Sequence, residues 1–388
     1  MEVLVRKKYG MIPDQQWKLL CGLEAHIDDF KKNRNSYENI QLMAMCAGQV
    51  SGTEDIFGRE FIAAMYARIL SNSMTLVTPT FDSLGIMIDP LLCHLNHSCD
   101  PNAHVAMDGA RMQLRALKDI KQDEEILISY VDTTFPSAWR RTELARRWFF
   151  YCDCAKCRKG AVQQEDHWSI KPENLGEKYQ DIADRLIKES SISLKKETIG
   201  EQRCSALERE AFRMYEEEQT ELDSAKAVKL IESAVEFCTQ SGLWPVYRQP
   251  LPALRDDLIV HMLTAGNYED AWLQSAKRYR QVTPKLYPQM HHPVRVIQTL
   301  QMAMLAQFLA SEGVNIRPGV DMALIAAMLI NTTNVASKLS HGEDNAFSQS
   351  VQLKFAEVEE ELKERFGSKD AMNAAFQRQG KLLAEMGK

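Results

Sequence analysis

The sequence predicts an α+β protein in which a small β unit carries a metal cluster and a long all-α region follows. Three features lead to this prediction. Short strands with turn residues between them occupy the stretch from Met74 to Val131. Cysteines cluster just beyond it, in the order CxCxxC beginning at Cys152. On both sides, apolar residues recur at the spacing of amphipathic helices.

The segment in front of the strands favours helices. One helix is expected to begin at Asp14, with apolar positions at helical spacing: Trp17, Leu20, Leu23, Ile27 and Phe30. A second helix is expected from Ser36, a polar loop at residues 49–55, and a third helix ending near Asn72. Residues 1–71 are therefore predicted to form a helical region.

Beyond Asn72 the apolar residues alternate with a period of two. Strands are expected at Met74–Thr78, Gly85–Ile88, His104–Met107, Arg111–Leu117 and Glu125–Val131. The dipeptide Asp108-Gly109 lies between the third and fourth of these strands, and Asp-Gly is a strong signal for a β-hairpin. Short strands joined by turns predict a small, folded-over β unit.

A polar loop, Leu95-Asn96-His97-Ser98-Cys99-Asp100-Pro101-Asn102, interrupts the strands. Its Asn, Ser, Asp and Pro residues favour turns, whereas the preceding Leu91 and Leu92 draw it toward the interior. Because a buried loop must satisfy its polar groups, we expect a ligand, a metal or another chain segment to hold this loop. Taken alone, the same residues also fit a plain surface turn.

Three thiols, at Cys152, Cys154 and Cys157, are spaced as the ligands of one tetrahedral zinc ion. The fourth ligand is sought among side chains in or just before the polar loop: Cys93, His94, His97 and Cys99. Cys99 is preferred, because four thiolates make a closed structural site. Zinc binding at small sites contributes roughly 10–16 kcal/mol, comparable with the stability of a whole domain.

The remainder of the chain is predicted to be helical. A helix at Arg140–Phe149 leads into the cysteines, and a charged stretch at 161–175 is expected to be a linker. The segment Gly266–Trp272 is similar to the turn and second-helix start of a tetratricopeptide repeat. Only one such match is clear, so a generic helical array is the alternative. In both cases the region is expected to be a wall or a docking surface for a protein partner rather than a catalytic unit.

Composition disfavours several classes of function. The net charge of −6 does not suit direct contact with nucleic-acid phosphates. We recognise no signal segment and no apolar run long enough to span a bilayer, so no membrane contact is expected. The chain has nine cysteines, an odd number, and three of them are clustered. This usage fits a metal site in a reducing compartment, so the expected location is the cytoplasm or nucleus.

The ordered set NHSCxPN, Ile126-Leu127-Ile128-Ser129-Tyr130 and CxCxxC resembles the second half of a SET domain with its post-SET zinc cluster. With the helical C-terminal region, it resembles the SET and MYND domain (SMYD-like) family of protein lysine methyltransferases. The resemblance implies S-adenosylmethionine and Zn²⁺ as cofactors and a protein substrate, histone or non-histone, with a target lysine. It divides the chain into a helical insert at 1–71, the C-terminal half of the SET domain at 72–135, a zinc-binding segment at 136–160 and a tetratricopeptide-like domain at 161–388.

The resemblance also implies roles for individual residues. Tyr130 matches the catalytic tyrosine, which contacts the cofactor and orients the amine and the transferring methyl group; a core tyrosine is the alternative. Asn96 and His97 match the pair that binds the methionine and adenine parts of the cofactor, with either the ammonium or the carboxylate held by Asn96. Asn72 matches another polar cofactor contact, or is simply the last residue of a helix. Phe150 matches an aromatic cofactor contact.

Two further residues and the metal ligands complete the predicted site. Met74 and Trp148 occupy positions of the substrate lysine channel, where the family often has phenylalanine and tyrosine; a core position is the alternative for Trp148. The proposed zinc ligands are Cys99, Cys152, Cys154 and Cys157.

Two features of the family are not recognisable in the sequence. One is the MYND finger, and the other is the amino-terminal half of the SET domain, whose glycine-bearing loop contacts the cofactor. We therefore expect either a truncated form or a chain that has lost part of its cofactor site. A non-catalytic alternative follows, in which a SET-derived zinc-binding scaffold binds protein partners through its helical domain.

Overall fold

A computed structural model describes residues 1–78, 83–109, 111–190, 196–314 and 316–387. The chain divides into two compact units. The first unit comprises Met1–Thr133 and Ala138–Gly160, and the second comprises Thr134–Ser137 and Ala161–Lys388. The first unit contains the strands and the cysteine cluster, whereas the described part of the second unit is helical.

The first unit begins with helices that pack around one small apolar core, which includes the fully buried Ile40, Ile62 and Ala67. These helices are α1 (Glu2–Lys8), α2 (Asp14–Gly22), α3 (Ile27–Lys31), α4 (Arg34–Ser51), α5 (Glu54–Phe57) and α6 (Arg59–Asn72). The helix ending near Asn72 is confirmed. The loop expected at 49–55 is wrong in extent, because α4 continues to Ser51 and α5 begins at Glu54.

The long helix expected from Asp14 to Phe30 is broken in two, and the prediction of one helix was wrong. The chain leaves the helix at Leu23, which is extended, and His26 has a positive φ of 50°. Two side chains of α6 bind the carbonyl groups freed by this break. Arg68 Nε donates to Leu23 O at 2.9 Å, and Asn72 Nδ2 donates to Glu24 O at 2.9 Å. Tertiary hydrogen bonds therefore replace helical ones here.

The described strands form three two-stranded sheets. The strands are β1 (Met74–Val77), β2 (Ser83–Met87), β3 (Asn96–His97), β4 (Ala103–Asp108), β5 (Arg111–Ala116) and β6 (Leu127–Ile128). β1 pairs with β2 and β4 with β5, both antiparallel, which confirms the predicted hairpin at Asp108-Gly109. β3 and β6 pair in parallel. The helices α7 (Ser137–Trp148) and α8 (Ala155–Arg158) follow.

The second unit is built of consecutive helices that pack on their sequence neighbours. They are α9 (Gln163–Asp166), α10 (Glu177–Glu189), α11 (Ile199–Thr220), α12 (Ser224–Gln240), α13 (Leu251–Thr264), α14 (Tyr268–Lys277), α15 (Thr283–Leu286), α16 (Pro293–Ser311), α17 (Met322–Ser340), α18 (Ala346–Phe366) and α19 (Lys369–Met386). Side chains of Asp223, Asp321, Asn345 and Ser368 cap four of these helices. Helix α14 begins just after the predicted turn, but the tetratricopeptide assignment stays a prediction.

Helix α17 corrects one expectation from composition. It is long and apolar enough to meet the length and hydropathy criteria for a membrane span, although the sequence suggested no such run. In the structure it packs in the main apolar core of the second unit, where Ile325 and Leu329 are fully buried. More than half (56%) of its most apolar window is buried, as is typical of a core helix.

Candidate active site and metal centre

The polar loop at residues 95–102 lies next to the strand that precedes Tyr130. Asn96 and His97 pair with Leu127 and Ile128, and Ser98 N donates to Ile128 O at 2.9 Å. The expectation of a pure loop was therefore wrong at its first two polar residues, which form a short strand. The parallel pairing joins two distant segments. It brings the part of the loop around Asn96 (residues 95–98, called the Asn96 turn below) beside the chain that leads to Tyr130.

Asn102 fastens this arrangement from inside. Its side chain is only 3% exposed. Asn102 Oδ1 accepts from Leu127 N at 2.8 Å, and Asn102 Nδ2 donates to Glu125 O at 2.9 Å. The strand expected at Glu125–Val131 is reduced to Leu127–Ile128. Asn102 takes backbone groups at its start, and at its end the ring of His97 accepts from Tyr130 N. The loop was expected to be held by a ligand, a metal or another chain segment. The backbone of residues 125–127, bound by Asn102 from within the loop, is such a segment.

The four predicted zinc ligands meet at one point. The Sγ atoms of Cys99, Cys152, Cys154 and Cys157 all lie within 4.8 Å of one another. Cys99 Sγ is 4.0 Å from Cys152 Sγ and 3.6 Å from Cys157 Sγ. Sulfurs bound at about 2.3 Å to one tetrahedral zinc ion stand about 3.8 Å apart. The donor set and its spacing therefore fit zinc, and Cys99 rather than Cys93, His94 or His97 completes the cluster.

The electrostatics of the cluster also suit a cation. Burial raises the pKa of the Cys99 thiol far above its usual range, and burial raises the pKa of the Cys152 thiol to about 11. At Cys154 burial acts in the same direction, but hydrogen bonds from the backbone of Cys157 and Cys99 lower the pKa to about 6. A divalent cation would remove the cost of placing several thiolates together, since a coordinating thiol is deprotonated by the ion.

Aromatic side chains form a wall beside the cluster. The ring of Tyr130 lies 5.2 Å from that of Trp148, 5.3 Å from that of His97 and 6.4 Å from that of Phe150, measured between centroids. Tyr130, Trp148 and Phe150 also pack against the buried cysteines. The structure thus brings four of the predicted site residues into one half-buried group, which we call the aromatic wall (His97, Tyr130, Trp148 and Phe150).

His97 links the wall to the cysteines. Its Nδ1 accepts a hydrogen bond from Tyr130 N at 3.0 Å, and its Nε2 lies 3.3 Å from Cys99 Sγ. Because the backbone amide can only donate, Nδ1 carries no proton and Nε2–H faces the sulfur. Burial, with the nearby Arg140 guanidinium, lowers the pKa of His97 to about 4. The imidazole is therefore neutral at pH 7, and it orients Tyr130 and a metal ligand rather than exchanging a proton.

Asn72 and Met74 lie at the junction of α6 and β1. Asn72 Nδ2 donates to the carbonyls of Glu24 and Arg68 at 2.9 Å and 2.8 Å, and Asn72 O accepts from Cys93 Sγ at 3.0 Å. Both amide hydrogens of Asn72 are thus used within the fold. Met74 is half-buried and pairs with Met87 across β1 and β2. Within the described residues, Met74 does not pack against the cysteine cluster.

Two residues near the site were not predicted. Arg140 is 1% exposed, and its Nη1 donates to Thr133 O at 3.3 Å. The helical spacing of Arg140, Leu144 and Trp148 could have revealed this shared face of α7. Phe149 has a φ of 61° and packs on Phe30, with ring centroids 4.9 Å apart. The side chain of Phe149 thus points away from the aromatic wall, whereas its neighbours Trp148 and Phe150 are part of it.

Part of the chain is similar to known proteins. A family model described as SET domain matches residues 16–131. The chain is 38% identical over 143 residues to SET domain and MYND-type zinc finger protein 6 of Schizosaccharomyces pombe, covering 37% of this chain and 29% of that protein. It is 36% identical over 156 residues to Histone-lysine N-methyltransferase SMYD3 of Mus musculus, covering 37% of this chain and 35% of that protein.

A third relative is N-lysine methyltransferase SMYD2-B of Danio rerio, which is 28% identical over 152 residues, covering 37% of this chain and 33% of that protein. The chain thus spans about a third of the length of these curated relatives. The resemblance seen in the sequence is confirmed: the chain contains a SET domain and has relatives among the SMYD proteins.

Proposed function

We propose that the chain is an S-adenosylmethionine-dependent protein-lysine N-methyltransferase, acting on a histone or non-histone protein in the cytoplasm or nucleus. The observation that carries the proposal is the position of Tyr130, which joins the aromatic wall next to the Asn96 turn. The named activities of two relatives, a histone-lysine and an N-lysine methyltransferase, support the same class of reaction.

The wall suits the chemical demand of lysine methylation. Free lysine has a pKa near 10.4, so supplying the neutral amine at pH 7 costs about 4–5 kcal/mol. Half-buried aromatic rings exclude water and thereby lower the pKa of a cation held against them. They also tolerate the cation before it loses its proton, through attraction to the ring faces. Trp148 and Met74 are the proposed channel residues.

Tyr130 is the proposed catalytic residue. Burial, then the Cys93 thiol and the Glu125 carboxylate, raise the pKa of Tyr130 to about 12. Its hydroxyl is therefore protonated at neutral pH and acts as a hydrogen-bond donor, and in the structure it donates to Leu95 O. Because its one proton goes to Leu95 O, we propose that the hydroxyl oxygen accepts a hydrogen bond from an N–H of the target amine and thereby orients it. S-adenosylmethionine would supply the methyl group. The residues proposed to bind this cofactor are Asn72, Asn96, His97, Tyr130 and Phe150.

Zinc has a structural place in this proposal. Cys99, Cys152, Cys154 and Cys157 would hold the ion and leave no open coordination position, so it would not touch the substrate. The Cys99 ligand lies in the loop, and the other three follow Phe150. The ion would therefore fix the Asn96 turn against the aromatic wall.

The test is transfer of a radiolabelled methyl group from S-adenosylmethionine to proteins of a cell extract by the full chain. Tyr130→Phe removes only the hydroxyl, and we expect it to lower transfer at least about 100-fold, the usual range for a lost positioning or proton-handling group. Calorimetry would measure cofactor binding by both forms. No transfer and no cofactor binding by the unaltered chain would end the proposal.

The same experiment addresses a zinc-binding scaffold as the alternative. One observation favours the scaffold. Both amide hydrogens of Asn72, a predicted cofactor contact, are bound to carbonyl groups within the fold and are not available to a cofactor. The scaffold requires that the chain retain its protein partners, captured through the helical unit, while it binds no S-adenosylmethionine. A Tyr130→Phe variant that loses transfer but still binds the cofactor would instead support the enzyme.

A further inference from the structure

Glu125 is an acidic residue beside Asn96 that has no role in the function proposed above. Its Oε1 accepts a hydrogen bond from Asn96 Nδ2 at 2.7 Å. Its backbone carbonyl accepts from the buried amide of Asn102 at 2.9 Å. The backbone of Glu125 is thus held from inside the fold, while its side chain reaches out to the exposed Asn96. The carboxylate is therefore placed on the Asn96 turn by a fixed support.

This contact fixes which way the Asn96 amide faces. An amide group offers two donors on nitrogen and one acceptor oxygen, whereas a carboxylate only accepts. Asn96 must therefore turn Nδ2 toward Glu125 and Oδ1 away from it. Among the residues that the structure describes, Oδ1 of Asn96 has no hydrogen-bond partner. The turn thus presents an acceptor, which suits a ligand that donates hydrogen bonds.

The charge of Glu125 is also uncompensated. Within the described parts of the chain, no basic side chain forms an ion pair with it. At its neighbour Glu124, by contrast, hydrogen bonds from Lys121 N and Asn102 and the nearby charges of Lys121 and Lys118 lower the pKa. The charge of Glu125 extends to the aromatic wall, where it is one cause of the raised pKa of Tyr130. A cation bound at the Asn96 turn would be stabilised by this carboxylate.

We propose that Glu125 is a positioning residue for the cofactor, and that it holds Asn96 Oδ1 outward to accept a hydrogen bond from the α-ammonium group of S-adenosylmethionine. The carboxylate at the same time balances the charge of that ammonium. This inference rests on the proposed function. It decides between the two alternatives for Asn96, in favour of the ammonium and against the carboxylate of the cofactor.

Two probes separate this role from a general effect on the site. S-adenosylhomocysteine carries the α-ammonium group, whereas 5′-methylthioadenosine lacks the amino-acid portion. In calorimetry with the full chain, we expect Glu125→Ala to weaken S-adenosylhomocysteine binding by roughly tenfold or more, as for loss of a hydrogen bond to a charged group. Glu125→Gln keeps an acceptor oxygen, so its loss should be smaller. Binding of 5′-methylthioadenosine should not change.

Two controls accompany these variants. Glu124→Gln removes the same charge one residue away, and it should leave the affinity for S-adenosylhomocysteine unchanged. In an Asn96→Ala background, Glu125→Ala should weaken binding less than it does in the unaltered chain, because the group it orients is gone and only its charge still acts on the ammonium. Thermal melting of every variant would show that the fold is retained.

The outcomes are distinct. If the unaltered chain binds neither S-adenosylmethionine nor S-adenosylhomocysteine, the proposed function fails and this inference fails with it. If the chain binds and Glu125→Ala binds equally well, only the role of Glu125 is wrong. An equal loss of affinity for both probes would also overturn that role, because it would show that Glu125 supports the fold and not the ammonium site.

Discussion

Cys99 and Trp272 are equally buried, at 1% and 0% exposure, but their surroundings differ. Cys99 is enclosed by three other sulfurs and by aromatic rings, in a unit whose described strands form two-stranded sheets. Trp272 lies in a large apolar core contributed by several long helices. The site is thus held by a few specific contacts, whereas the helical unit is held by apolar area spread over many residues.

This difference predicts how each unit responds to damage. Where few contacts hold a structure, removal of one member should disorganise the rest of the site. Where burial is distributed, removal of one side chain should cost only its own transfer and cavity terms. The predictions below test this contrast from the largest expected effect to the smallest.

The largest effect is expected for Cys99→Ala. If zinc joins the four sulfurs, this variant loses a ligand of an ion whose binding is worth roughly 10–16 kcal/mol at small sites. Metal analysis should find about one zinc per unaltered chain and far less in the variant, and the first unit should become sensitive to proteolysis. Cys46→Ser, at an exposed cysteine outside the cluster, should keep the zinc. Equal zinc in Cys99→Ala would contradict the assignment.

A smaller loss is expected for Trp272→Ala in the helical unit. Removal of this ring should cost about 3–5 kcal/mol in free energy of unfolding, through lost burial and a cavity. Trp272 Nε1 has no hydrogen-bond partner among the described residues, so Trp272→Phe should cost much less. Thermal melting followed by circular dichroism would measure both variants. Zinc content should stay unchanged, and a loss of zinc would show that the damage is not confined to the core around Trp272.

Asn102→Ala tests the polar support of the site. The substitution leaves the backbone N–H of Leu127 and the carbonyl of Glu125 without their partner, which should cost about 1–3 kcal/mol for an unsatisfied buried group. The variant should also weaken cofactor binding, since it frees the strand that precedes Tyr130. Asn96→Ala, at an exposed position, should leave the melting midpoint nearly unchanged. The opposite ranking of the two midpoints would show that Asn102 is not a support.

The features that were predictable from the sequence depend on local chemistry. Asp108-Gly109 predicted the hairpin, and the spacing of Cys152, Cys154 and Cys157 predicted three members of the cysteine cluster. The fourth member, Cys99, was preferred over Cys93, His94 and His97 because four thiolates make a closed zinc site. These features are predictable because turn preference depends on a short stretch of chain, and because a metal site needs a known number of ligands.

The features that were missed depend on contacts between distant residues. The break after α2 exists because Arg68 and Asn72 bind carbonyls far earlier in the chain. The strand before Tyr130 is short because the side chains of Asn102 and His97 take backbone groups at its two ends. The contact of Glu125 with Asn96 likewise joins residues 29 positions apart. Such pairings leave no periodic pattern in a single sequence, so they could not be predicted. At these positions tertiary hydrogen bonds overrode the local preferences.

Phe149 offers a finer test of the site unit. Its positive φ of 61° costs a non-glycine residue of order 1–3 kcal/mol. Phe149→Ala loses the packing on Phe30 and keeps the strain, whereas Phe149→Gly loses the packing and relieves the strain. We therefore expect the glycine variant to melt at the higher temperature of the two. Both should weaken the aromatic wall, which tryptophan fluorescence of Trp148 would report. A more stable alanine variant would contradict the strain.

The last prediction concerns Asp257, in the helical unit, and its effect depends on pH. Burial, then the nearby Glu218 and Asp256 carboxylates, raise the pKa of Asp257 from its usual 3.8 to about 7, although Gln219 donates a hydrogen bond to it. Because the folded state holds this proton more tightly than the unfolded chain does, the stabilisation is complete below pH 3.8 and is lost as the pH rises toward 7.

Asp257→Asn imitates the protonated form and should remove this dependence. The variant should therefore melt at a higher temperature than the unaltered chain at pH 8, and the difference should shrink by pH 5. Asp181→Asn, at an exposed aspartate on α10, should show no such trend. A difference that grows toward acid would reverse the sign of the shift. It would mean that the carboxylate of Asp257 is stabilised by a cationic group, and that in the helical unit too a specific polar contact adds to apolar burial.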